Sequence, residues 1–577
     1  MKQFQFGYQN MDKLTRELRK IRQWSSSRIV SHIVFHIFTE QHDRTLIGEI
    51  CAEIGRELPE AEYLGCSTNG NIMNGAISHY DTIITCTLFE YQTTMTELIQ
   101  YPLSKETAGE VTADLVLKLR ERPWVKAVEL LTTIRGMSMT GFCRELGEAA
   151  PEIQIFGGGA FSYDMDDNRA CVFSREGGWS DSGVVFWLIG GDDLSVTSAH
   201  ITGWKPLGRT FHVTKANGST LYELDGNPAY EVYYKYLNIK NNEHFFTNSL
   251  EFPFFYEHNG INLLRAPTAS NEDGSLTMTS DIEENVLARL AYGDPATILE
   301  SVRNDGRHIL KFRPEVIHIF SCAARRTFWG SAEVSKESLP FQNIAPTSGF
   351  YTSGEFLRTK GFVNQHNVTL VVAALREGEP VGKLPENAEL EVDNEDFSGK
   401  VSLINRLANY INAAFRDLEI SAVTDGLTKL YNRAEIQRRI AERLSSGKPL
   451  SIIMIDIDNF KQVNDAYGHQ EGDGVIVGLA GLLQKTVAEF GGETAAGRWG
   501  GEEFMIVMPF GTDCSVKVAE TLCSSFSKMK FEKAGSRTIS LGVTGCVEGE
   551  SLDELLIRVD MALYEAKRTG KNRVVLK

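Results

Sequence analysis

The stretch Gly500-Gly501-Glu502-Glu503-Phe504 constrains the fold of this chain more than any other. Glycine has no Cβ and tolerates positive φ angles, so the pair predicts a tight hairpin turn from which the adjoining acids project at the start of a strand. An ordinary solvated hairpin carries the same residues. By itself, the stretch predicts only a turn that can present carboxylates to a cation.

A second acidic cluster follows an apolar run farther upstream. The run Ile452–Ile455 predicts a buried central strand, and Asp456 and Asp458 fall where that strand ends. A buried strand seldom ends in two acids by accident. The apolar residues that then recur at helical spacing are Phe460, Val463 and Tyr467.

Further segments extend this pattern to the C-terminus. They are Asp425-Gly-Leu-Thr-Lys-Leu-Tyr-Asn-Arg433, Asp456-Ile-Asp-Asn-Phe-Lys-Gln-Val-Asn464, Gly468-His469, Gly472-Asp473, Ala562-Leu-Tyr-Glu-Ala-Lys567 and Gly570-Lys571-Asn572. With the double-glycine stretch, they resemble a GGDEF domain, the catalytic module of diguanylate cyclases, in its GGEEF form. The resemblance implies a palm-like nucleotide cyclase over residues 421–577, with an antiparallel-containing central sheet flanked by helices, that joins two GTP molecules into cyclic di-GMP and releases two pyrophosphates.

The resemblance also implies a metal site made of Asp456, the backbone carbonyl of Ile457, and Glu502. Mg²⁺, or Mn²⁺ in its place, would acidify the attacking ribose hydroxyl and clamp the phosphate oxygens. Glu503 is the candidate ligand of a second ion, although neighbours on a regular strand point to opposite faces, so strand geometry favours one glutamate in the site. Both glutamates are candidate catalytic residues, but a coordinated acid is a poor base, so metal binding is the preferred role of Glu502.

Asn464 and Asp473, with His469 beside them, stand where the family places its guanine contacts. A carboxylate accepts from the N1–H and N2–H₂ donors of guanine, and an amide can serve either side. Asp473 has an alternative role as the N-cap of a helix that begins near Val475. Taken with the rest of the pattern, base recognition is the preferred interpretation, and Asp473 favours GTP on both sides.

Three lysines are candidate phosphate ligands: Lys461, Lys567 and Lys571. The last two end a predicted helix that starts with the capping box Ser551–Glu554. Lysines near a helix C-terminus ordinarily complement the helix dipole, and that role is assigned to Arg568.

One family feature is missing. Many members carry an Arg-x-x-Asp product-inhibition site that ends six positions before the first glycine of the signature. Here the window is Gly491-Gly-Glu-Thr494, and Arg498 lies out of register. The sequence therefore predicts no feedback inhibition through that site.

Length and composition bound the rest of the chain. At 577 residues it is too long for one domain, and its net charge of −17 argues against a nucleic-acid partner. No apolar run is long enough for a membrane span, and no signal peptide is present. The nine cysteines are scattered without a Cys-x-x-Cys pair. They indicate buried thiols in a reducing environment, so the predicted location is cytoplasmic.

Residues 1–375 alternate β-branched runs with amphipathic stretches, which predicts an α/β or α+β region. The runs are Ile29–Phe38, Asp81–Phe89 and Val184–Ile189. Two glycine-rich segments, Gly65–Gly70 and Gly157–Ala160, lack the Gly-x-x-x-x-Gly-Lys phosphate-loop pattern and are interpreted as tight turns.

Those glycine-rich segments, together with Gly226–Tyr233, Phe320–Arg326, Gly349–Phe356 and Asn364–Thr369, resemble a FIST sensory domain. The resemblance implies a sensor of an unnamed small ligand, with an N-terminal half at residues 1–195 and a C-terminal half at 196–375. The candidate pocket residues, each with core or turn as the alternative, are Cys66, Arg325, Tyr351 and Glu355.

Residues 376–420 form the predicted linker. Its first part, 376–396, is rich in glycine, proline and acids and indicates an exposed connection. A heptad seam follows, at Val401, Ile404, Ala408, Ile411, Phe415 and Leu418. It favours a two-stranded coiled coil, with packing against one of the domains as the alternative.

Together these features predict a homodimeric, ligand-regulated diguanylate cyclase. A dimer is expected because each cyclase domain can hold one GTP and the two-fold product needs two facing domains. The alternatives are a catalytically silent GGDEF domain that binds GTP and signals through contacts, and a scaffold that acts only through its sensory half. Intact acids at the metal and base positions count against both.

Overall fold

The computed structural model describes residues 1–164, 167–380, 389–392, 403–547 and 549–577. It divides into two compact units, Met1–Asn412 and Ala413–Lys577. Both units contain sheets and helices, which confirms the predicted α/β (α+β) class. None of the helices in the described ranges is long and apolar enough to cross a bilayer.

The first unit begins with alternating strands and helices. Its helices are α1 (Met11–Ser26), α2 (Arg44–Glu57), α3 (Ala108–Glu121), α4 (Thr140–Ala149), α5 (Ala229–Leu237), α6 (Phe245–Ser249), α7 (Pro295–Asp305), α8 (Arg307–Phe312), α9 (Ala323–Glu333) and α10 (Leu339–Gln342). Its strands up to residue 190 are β1 (Lys2–Gly7), β2 (His32–Thr39), β3 (Glu62–Ser67), β4 (Asn71–Met73), β5 (Ala76–Ile77), β6 (Thr82–Phe89), β7 (Met95–Pro102), β8 (Val125–Thr133), β9 (Gln154–Ala160), β10 (Val172–Ser174), β11 (Gly178–Ser180) and β12 (Gly183–Gly190).

Strands dominate the remainder of this unit. They are β13 (Leu194–Ile201), β14 (Lys205–Asn217), β15 (Thr220–Leu224), β16 (Asn227–Pro228), β17 (Phe254–His258), β18 (Ile261–Arg265), β19 (Pro267–Ser270), β20 (Leu276–Met278), β21 (Leu287–Tyr292), β22 (Val316–Cys322), β23 (Thr347–Thr352), β24 (Glu355–Thr359), β25 (Phe362–His366) and β26 (Leu370–Glu377). The three predicted β-branched runs are confirmed as β2, β6 and β12.

The strands of the first unit form four sheets. Their orders are β1-β6-β2-β3-β10-β11, β25-β24-β9-β8-β12-β7, β13-β26-β22-β23-β4-β5, and β18-β17-β21-β14-β15-β20-β19 with β16 beside β15. The second sheet joins β24 to β9, and the third joins β4 to β23. The predicted halves 1–195 and 196–375 therefore exchange strands, so neither half completes its sheets alone.

The prediction of tight turns in the two glycine-rich segments was wrong over most of their length. Gly65 lies within β3, and Gly157 lies within β9. A Cβ at Gly65 would collide with the carbonyl oxygen of Ile37, and one at Gly157 with that of Leu130. These glycines therefore permit close approach of neighbouring strands, a role that the sequence pattern does not distinguish from a turn.

The cysteines follow the prediction. All nine are free thiols, and six of them are buried. The predicted exposed connection 376–396 lies partly outside the described residues, at 381–388 and 393–396. Of the part that is described, Leu390 is buried in the core of the first unit.

Helix α11 (Leu403–Val423) crosses the division between the two units. Along the predicted seam, Val401 lies outside the described residues, Ala408 is buried, and Leu418 is 64% exposed. Within the first unit, Asn412 Oδ1 accepts a hydrogen bond from the Gly208 backbone at 2.9 Å. The start of the helix thus packs on its own chain, as the alternative held, while the exposed end leaves the coiled coil a prediction.

The second unit is built on one five-stranded sheet. Its helices are α12 (Arg433–Ser445), α13 (Phe460–Tyr467), α14 (His469–Phe490), α15 (Thr512–Ser527) and α16 (Leu552–Arg568). The sheet order is β28-β29-β27-β30-β31, with β27 (Ser451–Ile457), β28 (Ala495–Arg498), β29 (Glu503–Met508), β30 (Ile539–Gly545) and β31 (Val574–Leu576). Every pairing is antiparallel except that of β30 with β31.

The sequence explains these elements. Strand β27 is buried throughout and lies at the centre of the sheet, as the apolar run predicts. The capping box of α16 is present: the Ser551 side chain accepts from the Glu554 backbone, and the Glu554 carboxylate accepts from the Ser551 backbone. Helix α16 packs across β30 and β27, so Lys567 near its C-terminus reaches the end of β27, while Lys571 lies beyond the end of the helix.

Candidate functional site

The candidate site is centred on Asp456, near the C-terminal end of β27. The side chain is 7% exposed, and its Oδ2 lies 2.7 Å from the ammonium of Lys567 at the end of α16. Asp456 is directly opposite Glu503 in the antiparallel pair β27–β29, so both side chains project from the same face of the sheet. The strand register therefore brings the two predicted acidic clusters together.

The double-glycine stretch forms the predicted hairpin between β28 and β29. The backbone amides of Trp499 and Gly500 both donate to the carbonyl oxygen of Glu503, at 2.8 and 3.2 Å. The expected positive φ angles are absent, since neither Gly500 nor Gly501 has one. A Cβ on Gly500 would lie 2.9 Å from Glu503 Oε2, so a larger residue there would shift the end of the Glu503 side chain.

Arg498 braces this turn through hydrogen bonds to its backbone carbonyl oxygens. Its Nη2 donates to the carbonyl oxygen of Gly501 at 2.7 Å, and its Nε donates to that of Gly500 at 3.1 Å. Nη1 lies 3.3 Å from the carboxylate of Asp425. From the sequence, Arg498 was noted only as out of register with the inhibitory site. Its place two residues before the first glycine was the available signal for a bracing role.

Both glutamates belong to the acidic cluster. Burial, followed by the charge of Asp456, raises the pKa values of the Glu502 and Glu503 carboxyls. Burial also raises the pKa of Asp456, against the opposing effect of Lys567. The expectation of a single glutamate assumed a regular strand, but Glu502 precedes β29 and lies in the turn, where strand alternation does not apply.

This donor set fits a hard divalent cation. The charge of Asp456 raises the pKa values of both glutamates, and a cation held among the three carboxylates would relieve that repulsion. Oxygen ligands of this kind suit Mg²⁺ or Mn²⁺. The backbone amide of Ile457 donates to the Glu502 carbonyl oxygen at 3.4 Å, which places the predicted carbonyl ligand beside the turn.

The Asp458 carboxylate makes structural hydrogen bonds. Its carboxylate accepts from the hydroxyls of Thr538 and Ser540, each at 2.7 Å, and from the backbone amide of Asn572 at 3.1 Å. These bonds tie β27 to β30 and to the segment after α16. Of the two acids at the end of the strand, only Asp456 therefore remains for a cation.

The predicted guanine contacts lie on α13 and α14. Asn464 is half-buried on α13, and its Oδ1 occupies the space that a Cβ on Gly472 would need. Helix α14 begins at His469, so Asp473 lies inside the helix and is exposed. The N-cap alternative for Asp473 was wrong, because the residue that precedes the helix is Gly468.

The three candidate phosphate lysines differ in their contacts. Lys567 pairs with Asp456, and Lys571 Nζ donates to Asn459 Oδ1 at 2.5 Å. Asn459 follows β27, so both lysines reach the strand that carries the acids. Lys461 is exposed on α13, one residue into the helix.

The segment 491–494, where the Arg-x-x-Asp product-inhibition motif would lie, makes a different contact. Glu493 forms an ion pair with Arg443 at 2.6 Å, and α14 ends at Phe490 just before it. The absence of feedback inhibition stays a prediction.

The four candidate sensory residues all lie in the core of the first unit. Cys66, Tyr351 and Glu355 are each at most 2% exposed. Arg325 is fully buried, with an ion pair to Glu337 at 2.7 Å and a hydrogen bond to the Val368 carbonyl oxygen. Their core alternative therefore holds.

Two cavities in the first unit were not predicted, with volumes of about 450 and 480 Å³. Ser280, Asp281 and Gln365 line both, so the cavities adjoin. The first is mostly lined by apolar and hydroxyl side chains. The second is lined by charged groups that include Arg144, Arg265 and Glu283. The lining residues are scattered along the chain, so no local motif marked them.

Three family models match successive segments of the chain, in the order that the sequence predicted. The model described as "Diguanylate cyclase, GGDEF domain" matches residues 422–573. The FIST N domain matches 33–227, and the FIST C domain matches 229–358.

Among curated relatives, the diguanylate cyclase VdcA of Vibrio cholerae serotype O1 is 37% identical over 202 residues, which are 32% of this chain and 57% of VdcA. The diguanylate cyclase DgcM of Escherichia coli K12 is 38% identical over 163 residues, 27% of this chain and 39% of DgcM. The chain thus spans about half the length of these relatives. A solved GGDEF domain of DgcB from Caulobacter crescentus, in complex with c-di-GMP, is 33% identical, with 27% of this chain and 95% of that chain covered and a TM-score of 0.25.

The chain contains a FIST N domain, a FIST C domain and a GGDEF domain, in that order.

Proposed function

We propose that this protein is a diguanylate cyclase that condenses two GTP molecules into cyclic di-GMP and two pyrophosphates. The observation that carries the proposal is the meeting of Asp456, Glu503 and Lys567 at the end of one central strand. Nucleotidyl transfer needs carboxylates for a divalent ion and a cation for the phosphates. Similarity to two proteins named diguanylate cyclases supports the same reaction.

In this proposal Asp456, the Ile457 carbonyl and Glu502 hold Mg²⁺ or Mn²⁺, and Glu503 serves a second ion. When bound, the ions lower the pKa of the ribose hydroxyl and neutralise the phosphates. Lys567 exchanges its Asp456 partner for a substrate phosphate. Lys571 and Lys461 bind the remaining phosphate oxygens.

Asn464 and Asp473 recognise the guanine edge, with His469 at its side. Asp473 is exposed on the first turns of α14, so its carboxylate is available to the N1–H and N2–H₂ donors. The close contact of Asn464 with Gly472 fixes the amide beside the helix that carries Asp473. Together they favour guanine over adenine, whose edge presents a different order of donors and acceptors.

We further propose a homodimer, because one chain offers one GTP site and the product contains two guanylates. The segment proposed to pair is the later part of α11, where Leu418 is 64% exposed. When two copies of the helix pair, an exposed apolar seam of this kind is buried, and that burial stabilises the dimer.

The FIST region is proposed to regulate the cyclase by binding a small ligand in the adjoining cavities. Volumes of about 450 and 480 Å³ suit a metabolite. The charged lining of the second cavity, with both Arg265 and Glu283, suits a ligand that carries both signs of charge. Linker residues 376–420 then connect sensor and cyclase domains at 1–375 and 421–577.

The decisive experiment incubates purified full-length protein with GTP and Mg²⁺ and identifies the products by chromatography. Cyclic di-GMP from the unmodified chain, and none from Glu502→Ala, is the expected result. Arg568→Ala, an exposed residue on the same helix as Lys567, serves as the control that keeps activity.

The main alternative is a silent GGDEF domain that binds GTP without turnover. A library of metabolites is first screened by thermal shift, since a ligand at 100 times its Kd adds about 2.7 kcal/mol of stability. GTP binding without product, also in the presence of each metabolite that raises the melting temperature, would establish the silent alternative.

A further inference from the structure

A cluster of buried polar side chains lies in the first unit, far in sequence from the cyclase residues. His36 on β2, Glu129 on β8 and His318 on β22 are each at most 3% exposed. The three strands belong to three different sheets. One ligand atom from each residue lies within 4.8 Å of the other two. Burial of two imidazoles and a carboxylate is costly unless each finds a partner.

Hydrogen bonds within the cluster provide partners for only some of its nitrogen and oxygen atoms. His318 Nδ1 lies 2.9 Å from Glu129 Oε2. The Nε2 of His36 lies 3.2 Å from Glu129 Oε1 but without hydrogen-bond geometry. Among the described residues, neither ring nitrogen of His36, nor Nε2 of His318, nor Oε1 of Glu129 has a hydrogen-bond partner.

Two side chains beside the cluster also carry a polar atom that lacks a hydrogen-bond partner among the described residues. Thr85 is directly opposite His36 in the β2–β6 pair, and Trp187 is directly opposite Glu129 in the β8–β12 pair. Side chains at such positions project from the same face of a sheet. Within the described part of the chain, Thr85 Oγ1 and Trp187 Nε1 also lack hydrogen-bond partners. The Trp187 ring stacks on His318, with centroids 6.1 Å apart.

We infer that His36, Glu129 and His318 bind a first-row divalent transition-metal ion. Two imidazoles and one carboxylate are a common donor set for zinc and for iron(II). Ligand bonds of about 2.0–2.2 Å would give a partner to one nitrogen of each imidazole and to one oxygen of Glu129. The Thr85 hydroxyl and the Trp187 N–H are then available to a water on the ion. The site ties three sheets together at the centre of the FIST region.

A purely hydrogen-bonded triad is the competing explanation. In it, both histidines are neutral and each donates one N–H to Glu129. The orientation of the His36 ring disfavours that arrangement, since its 3.2 Å approach to Oε1 is not a hydrogen bond. The triad leaves Thr85 and Trp187 without partners as well.

The test is elemental analysis of the full-length protein, purified without chelator or metal-affinity resin and dialysed. We expect about one equivalent of Mn, Fe, Co, Ni, Cu or Zn per chain. The same content is expected in Asp456→Asn, which separates this ion from one in the cyclase site. His308→Gln, with an exposed ring bonded to Ser198, should also keep the ion.

Glu129→Gln and His36→Gln should lose at least nine-tenths of the ion. If these variants do not fold, the unmodified protein is refolded from denaturant with Co²⁺, and visible d–d absorption bands of a low-coordinate site are expected. Less than one-tenth of an equivalent in the isolated protein, together with no cobalt bands, would overturn the proposal. Full metal content in folded Glu129→Gln would overturn it too.

Discussion

The amide oxygen Oδ1 of Asn464, on α13, occupies the space that a Cβ on Gly472, in α14, would require, so a larger residue at 472 has to displace the Asn464 side chain. The ring of Phe460 closes the same space from 3.1 Å away. This contact holds the predicted base-reading amide against the helix that carries Asp473. The position of one glycine therefore sets the position of a side chain eight residues away.

Gly472→Ala should consequently weaken GTP binding. The new Cβ must displace Asn464, and loss of one base hydrogen bond of about 0.5–1.5 kcal/mol corresponds to a KM for GTP raised roughly 2- to 13-fold. Gly474→Ala is the matched control, since nothing lies within 4 Å of a Cβ there. Steady-state kinetics check the prediction, and equal KM values for the two variants would contradict it. Adding Gly472→Ala to Asn464→Ala should have little further effect.

Arg498→Ala should loosen the turn that carries the two glutamates. The variant loses the bonds to the carbonyl oxygens of Gly500 and Gly501 and the ion pair with Asp425. We expect kcat to fall about tenfold and the free energy of unfolding to fall by about 1–2 kcal/mol. Arg498→Lys should restore little, because lysine cannot reproduce the planar fork. Urea unfolding and initial rates measure both effects, and an unchanged kcat argues against the bracing role.

Lys567→Met should affect substrate binding more than folding. Its ammonium is proposed to move from Asp456 to a phosphate, and a charged hydrogen bond of about 1.5–3 kcal/mol corresponds to a KM for GTP raised roughly 13- to 160-fold. Lys485→Met, at an exposed position of α14, is the control and should match the unmodified protein. A KM unchanged by Lys567→Met would leave Lys567 as a structural partner of Asp456 alone.

Glu355→Gln should stabilise the protein at alkaline pH. Burial raises the pKa of the Glu355 carboxyl well above its usual value, against smaller opposing effects from the Thr369 amide and the Arg325 charge. The folded state therefore keeps a proton that the unfolded chain loses near pH 4.5, so this carboxyl costs stability as pH rises from there toward its folded pKa. Gln keeps the acceptor for Thr369 and removes the titration.

The advantage of Glu355→Gln over the unmodified protein should grow as the pH rises from 5 to 8. Melting temperatures at the two pH values measure it. A difference between the proteins that is the same at both pH values would show that folding does not raise the pKa of the Glu355 carboxyl.

Leu418→Glu should weaken the proposed dimer, since it places a charge on the exposed seam of α11. Ile420→Glu is a matched control: Ile420 is 57% exposed on the same helix but lies off the seam. Sedimentation equilibrium should show a dissociation constant raised at least tenfold for Leu418→Glu alone, a loss of about 1.4 kcal/mol. Cyclase activity per chain should fall in parallel at low protein concentration. Equal dissociation of both variants would place the dimer contact elsewhere.

Local sequence was sufficient where short-range patterns carry the structure. The buried run Ile452–Ile455 predicted the central strand β27, Ser551 and Glu554 predicted a helix N-terminus, and the double glycine predicted a hairpin. Local sequence led to a wrong prediction where a glycine can serve either a turn or the close approach of two strands. Gly65 and Gly157 lie inside strands because a carbonyl oxygen of the neighbouring strand occupies the space of their missing Cβ, and that neighbour is distant in sequence.

The sequence by itself determined the donor inventory of this protein: which acids, amides and lysines are present, in which order, and on which kind of element. Tertiary structure decided how they are used. The register of β27 against β29 placed Glu503 opposite Asp456, and the packing of α16 brought Lys567 to the same carboxylate. Likewise, only the meeting of three sheets joined His36, Glu129 and His318. Such contacts depend on pairings between distant segments, and no periodicity within one segment encodes its partner.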